Sequence, residues 1–348
     1  MKSNVKVITK LILIVAFFML LTPFVWAQSE VSNAFSVTGS VDTYFRTNLN
    51  STNDPTNGGM VAPGTSFANL PGFSLGMANI VGSFESEKAG VVLDLVFGPR
   101  GVDAVFGSVA PLNLVNQMYA YWNMGERITV TFGNFNTFLG YEIIAPTGNF
   151  NYSTSYMFSY GPFSHSGLKA DMNLGGGFSF MAGVFNPTDA TDFNPDNHYY
   201  GGSQLAYSRE NGNVFLNTLF ANKFYQVDLT TGWDVSEKAH IGFNSTIASD
   251  NFIGLAGYFQ VAFFDEFSLG IRGEYFTDNG IGVLSLDESV VDLTFSANYR
   301  VGNLMLIPEF RTDSFTEKGF VIVDAHDPGN IKTANALSSF VLAAVYAF

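Results

Sequence analysis

Histidine is the side chain that most often carries acid–base chemistry or binds a metal, and this chain has four, at His165, His198, His240 and His326. No two of them stand at helical or zinc-finger spacing, and the chain has no cysteine. His165 directly precedes Ser166, but adjacent residues of a strand point to opposite faces and cannot act as base and nucleophile. The sequence therefore predicts no catalytic residue, no metal site and no cofactor.

Carboxylates dominate the charge, with 30 Asp and Glu against 16 Lys and Arg and a formal net charge of −14. Two acidic segments, 189–196 and 313–327, could take Ca²⁺, but neither follows the twelve-residue calcium-binding pattern. Solvated loop charge is the favoured interpretation. An acidic chain also repels phosphate groups, so nucleic acid is not an expected partner.

The remaining charged residues follow the two-residue period of a β-strand. Asp228 runs in step with Gln226 and Thr230, against the apolar Val227 and Leu229. A Lys or Arg that faces lipid at mid-membrane costs about 2–4 kcal/mol, so we expect these charges to face a water-filled lumen instead. The predicted pore-lining residues are Asp42, Arg46, Asp94, Lys169, Asp228, Arg272, Glu274, Asp292, Arg300, Glu309 and Arg311.

About sixteen such alternating segments follow one another, and their connections also alternate. Short turns such as 210–213 alternate along the chain with long connections such as 136–161. A soluble sandwich would share the alternation of side chains, but turns on one rim and loops on the other are typical of membrane barrels. The sequence thus predicts an all-β, antiparallel up-and-down transmembrane barrel. Short connections near Asn222 and 249–251 leave fourteen or eighteen strands open.

The start of the chain has the pattern of an export signal. Three lysines, Lys2, Lys6 and Lys10, precede an apolar run over 11–21 and a small residue, Ala27. The run is shorter than the roughly 20 residues of a spanning helix. We predict a signal peptide at 1–27 that is cleaved after Ala27, and a single-domain barrel at 28–348 in the bacterial outer membrane.

The end of the chain is an alternating apolar segment that stops at an aromatic residue. Tyr346 and Phe348 share one parity. This resembles the last strand of outer-membrane proteins, whose final aromatic is read by the barrel assembly machinery. The expected partners are therefore outer-membrane lipid and this machinery.

The third long connection is the most distinctive segment. It contains Gly140-Tyr141-Glu142, then Asn151-Tyr152-Ser153, and ends in Gly161-Pro162-Phe163-Ser164-His165-Ser166-Gly167. These motifs resemble the OmpL-like β-barrel porin family, where they follow one strand and open the next. The resemblance implies an outer-membrane porin-like barrel and offers no catalytic residues.

A barrel of about sixteen strands leaves an aqueous lumen, whereas eight strands would be filled by side chains. We therefore expect a porin that lets small hydrophilic solutes or ions diffuse passively, and that forms a homo-oligomer in one possible arrangement. In one hypothesis the third loop folds inward, and Tyr141 and Glu142 narrow the pore; in the other it is an external cap. The alternative function is a non-conducting surface barrel whose loops bind a partner.

Overall fold

The chain folds into a closed antiparallel barrel of sixteen strands, with the last barrel strand paired to the first. The computed structural model describes residues 34–54, 62–282, 284, 288–316, 320–323 and 331–348. The barrel strands are β1 Ala34–Asn48, β2 Gly72–Glu85, β3 Ala89–Phe97, β4 Val115–Asn123, β5 Ile128–Asn136, β6 Ser164–Gly175, β7 Phe178–Phe185, β8 Tyr200–Arg209, β9 Gly212–Ala221, β10 Phe224–Ser236, β11 Ala239–Ala248, β12 Phe252–Phe264, β13 Phe267–Asp278, β14 Ser289–Val301, β15 Leu304–Phe315 and β18 Ala336–Ala347. The predicted all-β barrel is confirmed. The predicted signal peptide at 1–27 lies outside the described residues and stays a prediction.

The two-residue alternation separates an inner face from an apolar outer face. In β10, Asp228 and Thr230 are buried, whereas Val227 and Leu229 are 40% and 36% exposed. The same pattern runs along most of β12 and β14. The outer residues form the belt that a membrane barrel turns toward hydrocarbon.

Turns and loops occupy opposite rims, as the sequence predicted. The two doubtful connections are real hairpins, because β9 and β10 are joined by only two residues and β11 and β12 by three. The longer loops hold two short helices, α1 Pro99–Ala104 and α2 Tyr156–Tyr160, and a hairpin of β16 Phe320–Val323 and β17 Ile331–Ala334. Among the described residues, no helix has the length and apolar character needed to span a membrane.

The two ends of the barrel sequence meet at the closing seam. Gly39 and Phe348 exchange backbone hydrogen bonds of 2.9 Å in both directions. A side chain at position 39 would collide with the carbonyl of Asn79 and the ring of Phe348, so this close approach requires glycine. Tyr346 and Phe348 are each about half exposed on the outer side.

Candidate solute pathway

The third loop, residues 137–163 and called L3 below, packs against the inner wall of the barrel. Tyr152, Tyr156 and Met157 are at most 4% exposed. Tyr156 and Met157 belong to an apolar cluster that includes Phe252 of β12 and Phe276 of β13. L3 thus occupies part of the lumen that sixteen strands enclose.

Two buried arginines of the inner wall donate to backbone carbonyls of L3, and one of them, Arg272, also forms an ion pair with it. Arg272 donates to Glu142 Oε1 at 2.7 Å, to the Ser153 carbonyl at 2.7 Å and to Asp292 at 2.8 Å. Arg311 donates to the Thr154 carbonyl at 2.7 Å. Its Nη2 also lies 3.0 Å from Asp292 and 2.7 Å from Asp313. Breaking such a buried pair from one side typically costs 3–5 kcal/mol.

Two buried carboxylates bind the backbone N–H groups of L3. Glu309 accepts from the amides of Tyr152 at 2.8 Å and Ser153 at 3.1 Å. Glu274 accepts from those of Tyr156 at 2.7 Å and Met157 at 2.8 Å. The second pair opens α2, where the first N–H groups have no partner within the helix. The wall therefore satisfies L3 backbone that would otherwise be buried without hydrogen bonds.

The first strand anchors L3 from the other side of the seam. Asp42 accepts from the Tyr152 hydroxyl at 2.5 Å and from the Met77 amide at 3.0 Å. Tyr44 packs on Tyr152, with 5.5 Å between ring centroids. Arg100 of α1 adds a contact from the neighbouring loop, donating to the Ile144 carbonyl at 2.9 Å.

Glycines of the inner wall make room for L3 side chains. A Cβ at Gly242 would collide with the hydroxyl of Tyr141, and one at Gly254 would collide with Met157. Tyr141 also stacks on Tyr258 with a centroid distance of 4.2 Å. Small residues on the wall therefore set how closely L3 can approach.

The wall made of β8–β11 meets L3 at a polar contact around Asp228, and nearer the turn rim at the Tyr141 hydroxyl, which lies 3.1 Å from His240. Asp228 accepts from the Gly140 amide at 2.9 Å, and also from Asn217 at 2.8 Å and Asn244 at 2.6 Å. Gln204 donates to the Phe138 carbonyl at 3.2 Å. We call this contact, made by Phe138 and Gly140 with Gln204 and Asp228, the wall contact.

Cavities lie on both sides of the wall contact. The middle cavity, about 270 Å³, is lined by Phe138, Gln204, Asn213 and Thr230 among others. The loop-side cavity, about 340 Å³, is lined by residues nearer the loop rim, including Gln226. Gln226 lies two residues beyond Asp228 on the same face of β10, so the wall contact separates the two cavities.

A third cavity opens at the rim of short turns. This turn-side cavity, about 470 Å³, is lined by Tyr141, Asp234, His240 and Arg300 among others. His240 lies 2.8 Å from Asp234 through Nδ1 and 3.1 Å from the Tyr141 hydroxyl through Nε2. Cavities therefore lie on the loop-rim side and on the turn-rim side of L3.

The predicted pore-lining residues fall into two groups. Nine are buried, and these are Asp42, Arg46, Asp94, Asp228, Arg272, Glu274, Asp292, Glu309 and Arg311. Arg300 is exposed at the turn-side cavity, and Lys169 pairs with Asp171 at 2.8 Å. Asp94 is held by Asn79, Asn116 and Gln117 within the wall. Most of these charges therefore contact L3 or each other rather than open solvent.

Sequence reasoning missed the neutral polar residues that form the wall contact or bind Asp228, and it missed the arginine of the neighbouring loop. Gln204, Asn217 and Asn244 share the polar parity of their strands, so the alternation contained a signal that charge counting ignored. Arg100 lies in a loop, where no periodicity marks it. His165 and Ser166 have different partners, since His165 binds Thr137 and Ser166 binds Asn134. Within the described residues no cluster of three or more His, Asp or Glu could hold a metal ion.

Comparison with known proteins identifies the class to which this barrel belongs. The sequence profile of the family described as "Putative beta-barrel porin-2, OmpL-like" matches residues 34–348. The chain belongs to this family, which confirms the resemblance seen in L3. It is thus a porin-like outer-membrane barrel. A comparison with curated proteins finds no match.

Solved outer-membrane channels share the fold at low sequence identity. The channel DcaP of Acinetobacter baumannii aligns with a TM-score of 0.61 at 12% identity over 91% of this chain and 97% of its own. The anion-selective porin from Comamonas acidovorans gives 0.57 at 11% over 91% and 100%. The trimer form of OmpT from Vibrio cholerae gives 0.55 at 11% over 91% and 99%.

Proposed function

We propose that this protein is an outer-membrane channel whose L3 narrows the lumen and leaves a path for small hydrophilic solutes along the β8–β11 wall. The observation that carries this proposal is the pair of cavities on either side of the wall contact. Elsewhere L3 is held by the buried Arg272–Glu142 ion pair and by hydrogen bonds to several other buried charged side chains. Here the Gly140 amide donates to Asp228, and the Phe138 carbonyl accepts from Gln204. The wall contact is the constriction of the proposed path.

The roles of the predicted residues change within this proposal. Buried charges such as Arg272 and Glu309 hold L3 in place rather than line the path. Glu142 belongs to the anchor through Arg272, while Tyr141 lines both the middle and the turn-side cavity. Arg300 is exposed at the turn-side cavity and lines the exit.

The cellular setting is proposed from the family and from the ends of the chain. Membership of an outer-membrane porin family supports a location in the bacterial outer membrane. Export through cleavage after Ala27, and recognition of Tyr346 and Phe348 by the assembly machinery, complete the proposal. A homo-oligomer is part of it because one structural neighbour is a trimer form.

Single-channel recording in a planar bilayer tests the proposal. We expect discrete conductance steps that are smaller than those of an open sixteen-stranded lumen, because L3 fills part of the cross-section. A reversal potential in a salt gradient reports the ion preference. Protein purified in the folded state that adds no conductance would contradict the proposal.

A non-conducting surface barrel is the second candidate, and one observation favours it. The wall contact closes the space between the middle and loop-side cavities by direct hydrogen bonds, including that from Gly140 to Asp228. If that contact never opens, the barrel carries loops and no current. The same recording separates the two functions.

A further inference from the structure

The loop-side cavity has a lining that differs from the rest of the lumen. Aromatic side chains reach it from the second long loop, from L3 and from the wall, namely Phe106, Tyr160, Tyr200 and Phe224. Asp189 is the one charged group among the described residues that line it. A lining with no cationic side chain among its described residues offers no counter-charge to anions.

An amide with no partner in the described part of the protein lines this cavity. Gln226 is 4% exposed, and its side chain makes no hydrogen bond to any other described residue. Its amide atoms are accessible from the cavity, so one donor group and one acceptor are available to a molecule bound there. Polar side chains of Thr188 and Asn251 line the same space.

Aromatic and neutral polar groups stand together in the lining. The rings of Tyr200 and Phe224 have centroids 5.6 Å apart and are tilted by 60°, so two adjacent aromatic rings contribute to the lining. An aromatic face carries negative charge density that attracts C–H groups. Amides both donate and accept, which matches hydroxyl groups that also do both.

We propose that the loop-side cavity is a binding subsite for neutral sugars. A pyranose ring has a C–H face for Tyr200 and Phe224 and an edge of hydroxyl groups for Gln226 and Asn251. The cavity volume of about 340 Å³ lies in the ~300–1,000 Å³ range of small-molecule sites. This inference names a class of solute for the proposed channel. Only the passage of the sugar after binding rests on the proposed function.

Saturation-transfer NMR on the full-length protein in detergent tests the proposal, because it detects weak ligands and reports which protons touch the protein. The probes are glucose, galactose, maltotriose, cellotriose and xylotriose, with sodium succinate as the anionic comparison. We expect signals from ring C–H protons of at least one sugar and none from succinate. Absence of signal from every sugar, or a signal from succinate only, would overturn the proposal.

Matched variants place the site. Gln226→Ala and Tyr200→Ala are each expected to weaken binding roughly 5- to 10-fold, as loss of one buried hydrogen bond or one stacking ring does. Tyr200→Phe keeps the ring and retains binding. Leu229→Ala on the outer face leaves binding unchanged. Equal binding in all four variants would place the sugars elsewhere and refute the subsite.

The outcomes separate the subsite from the channel. Sugar binding by a protein that adds no conductance would leave the subsite standing and remove the proposed function. Conductance without sugar binding would do the reverse. Folding of each variant is checked by circular dichroism, so that a lost signal cannot come from an unfolded chain.

Discussion

The two halves of the inner wall differ in how they contact L3. On β13 and β15, buried Arg272, Glu274, Glu309 and Arg311 hold L3 through the Arg272–Glu142 ion pair and through backbone hydrogen bonds. On β8–β11 the contacts are the short polar region around Asp228, with cavities on both sides, and the hydrogen bond between Tyr141 and His240. The same strand pattern therefore builds an anchor on one side and leaves cavities on the other, where we propose the solute path, and the difference lies in which polar side chains face inward.

The largest expected effect comes from breaking the anchor at Arg272. In the parent protein, Arg272 pairs with the buried carboxylates of Glu142 and Asp292. Arg272→Ala removes this cation from both carboxylates. We expect a loss of about 3–5 kcal/mol in the free energy of unfolding and a larger, noisier conductance as L3 is released. Thermal unfolding in detergent and single-channel recording measure the two effects.

The control for this variant lies on the other face of the barrel. Leu293→Ala changes a 38% exposed outer residue next to Asp292 in sequence. It should leave the conductance as in the parent protein. If Arg272→Ala also leaves it unchanged, L3 is not held from this wall.

A smaller effect on stability is expected on the path side. Asp228→Ala removes the acceptor of Gly140, Asn217, Asn244 and Thr246. We expect a cost of about 1–3 kcal/mol, because donors lose a buried partner, together with a severalfold rise in conductance as the constriction opens. Leu229→Ala is the matched outer-face control. A variant that folds but conducts like the parent would move the path away from this wall.

The smallest effect concerns a partly buried carboxylate in the loop between β7 and β8. Asp189 accepts from the amides of Phe163 at 2.8 Å and Ser164 at 2.9 Å, where L3 ends. Burial raises the pKa of Asp189 to about 6, from an ordinary value of 3.8. Because the folded value is the higher one, the stabilisation from this group is complete below about pH 3.8 and is lost as the pH rises through about 6.

Asp189→Asn tests this pH dependence. The variant cannot ionise, so its melting temperature should vary less than that of the parent between pH 4 and pH 7. The difference corresponds to less than about 3 kcal/mol, since solvent screens part of it. Parallel curves for the two proteins over that range would show that Asp189 does not titrate with folding.

Much of the fold could be predicted from the sequence because membrane barrels obey a strict rule of alternation. Sixteen strand centres, the segregation of turns from loops and the inward parity of Asp228 and Arg272 all follow from period two. The C-terminal parity of Tyr346 and Phe348 follows in the same way. These features depend only on neighbours along the chain.

The candidate site could be predicted only in part, because its partners are distant in sequence. Glu142 and Arg272 were both named, yet nothing local indicates that they pair across 130 residues. A charge on the polar parity faces inward in either case, whether it meets water or a folded loop. The Gln226 amide lines a cavity without a hydrogen-bond partner among the described residues. The sequence does not show this, because Ala248, Phe252 and the loop residues that form the cavity are distant along the chain.

Cross-linking L3 to the wall tests the central claim most directly, since the chain has no cysteine of its own. Asn151 of L3 donates to Ser296 Oγ of β14 at 2.7 Å, which brings the two side chains within reach of a short bifunctional thiol cross-linker. The double variant N151C/S296C should be joined by this cross-linker in the folded, reconstituted protein, whereas F193C/S296C, with its first cysteine on an exposed loop, should not. If N151C/S296C is not joined and both of its thiols react freely with a polar maleimide, L3 does not lie inside the barrel.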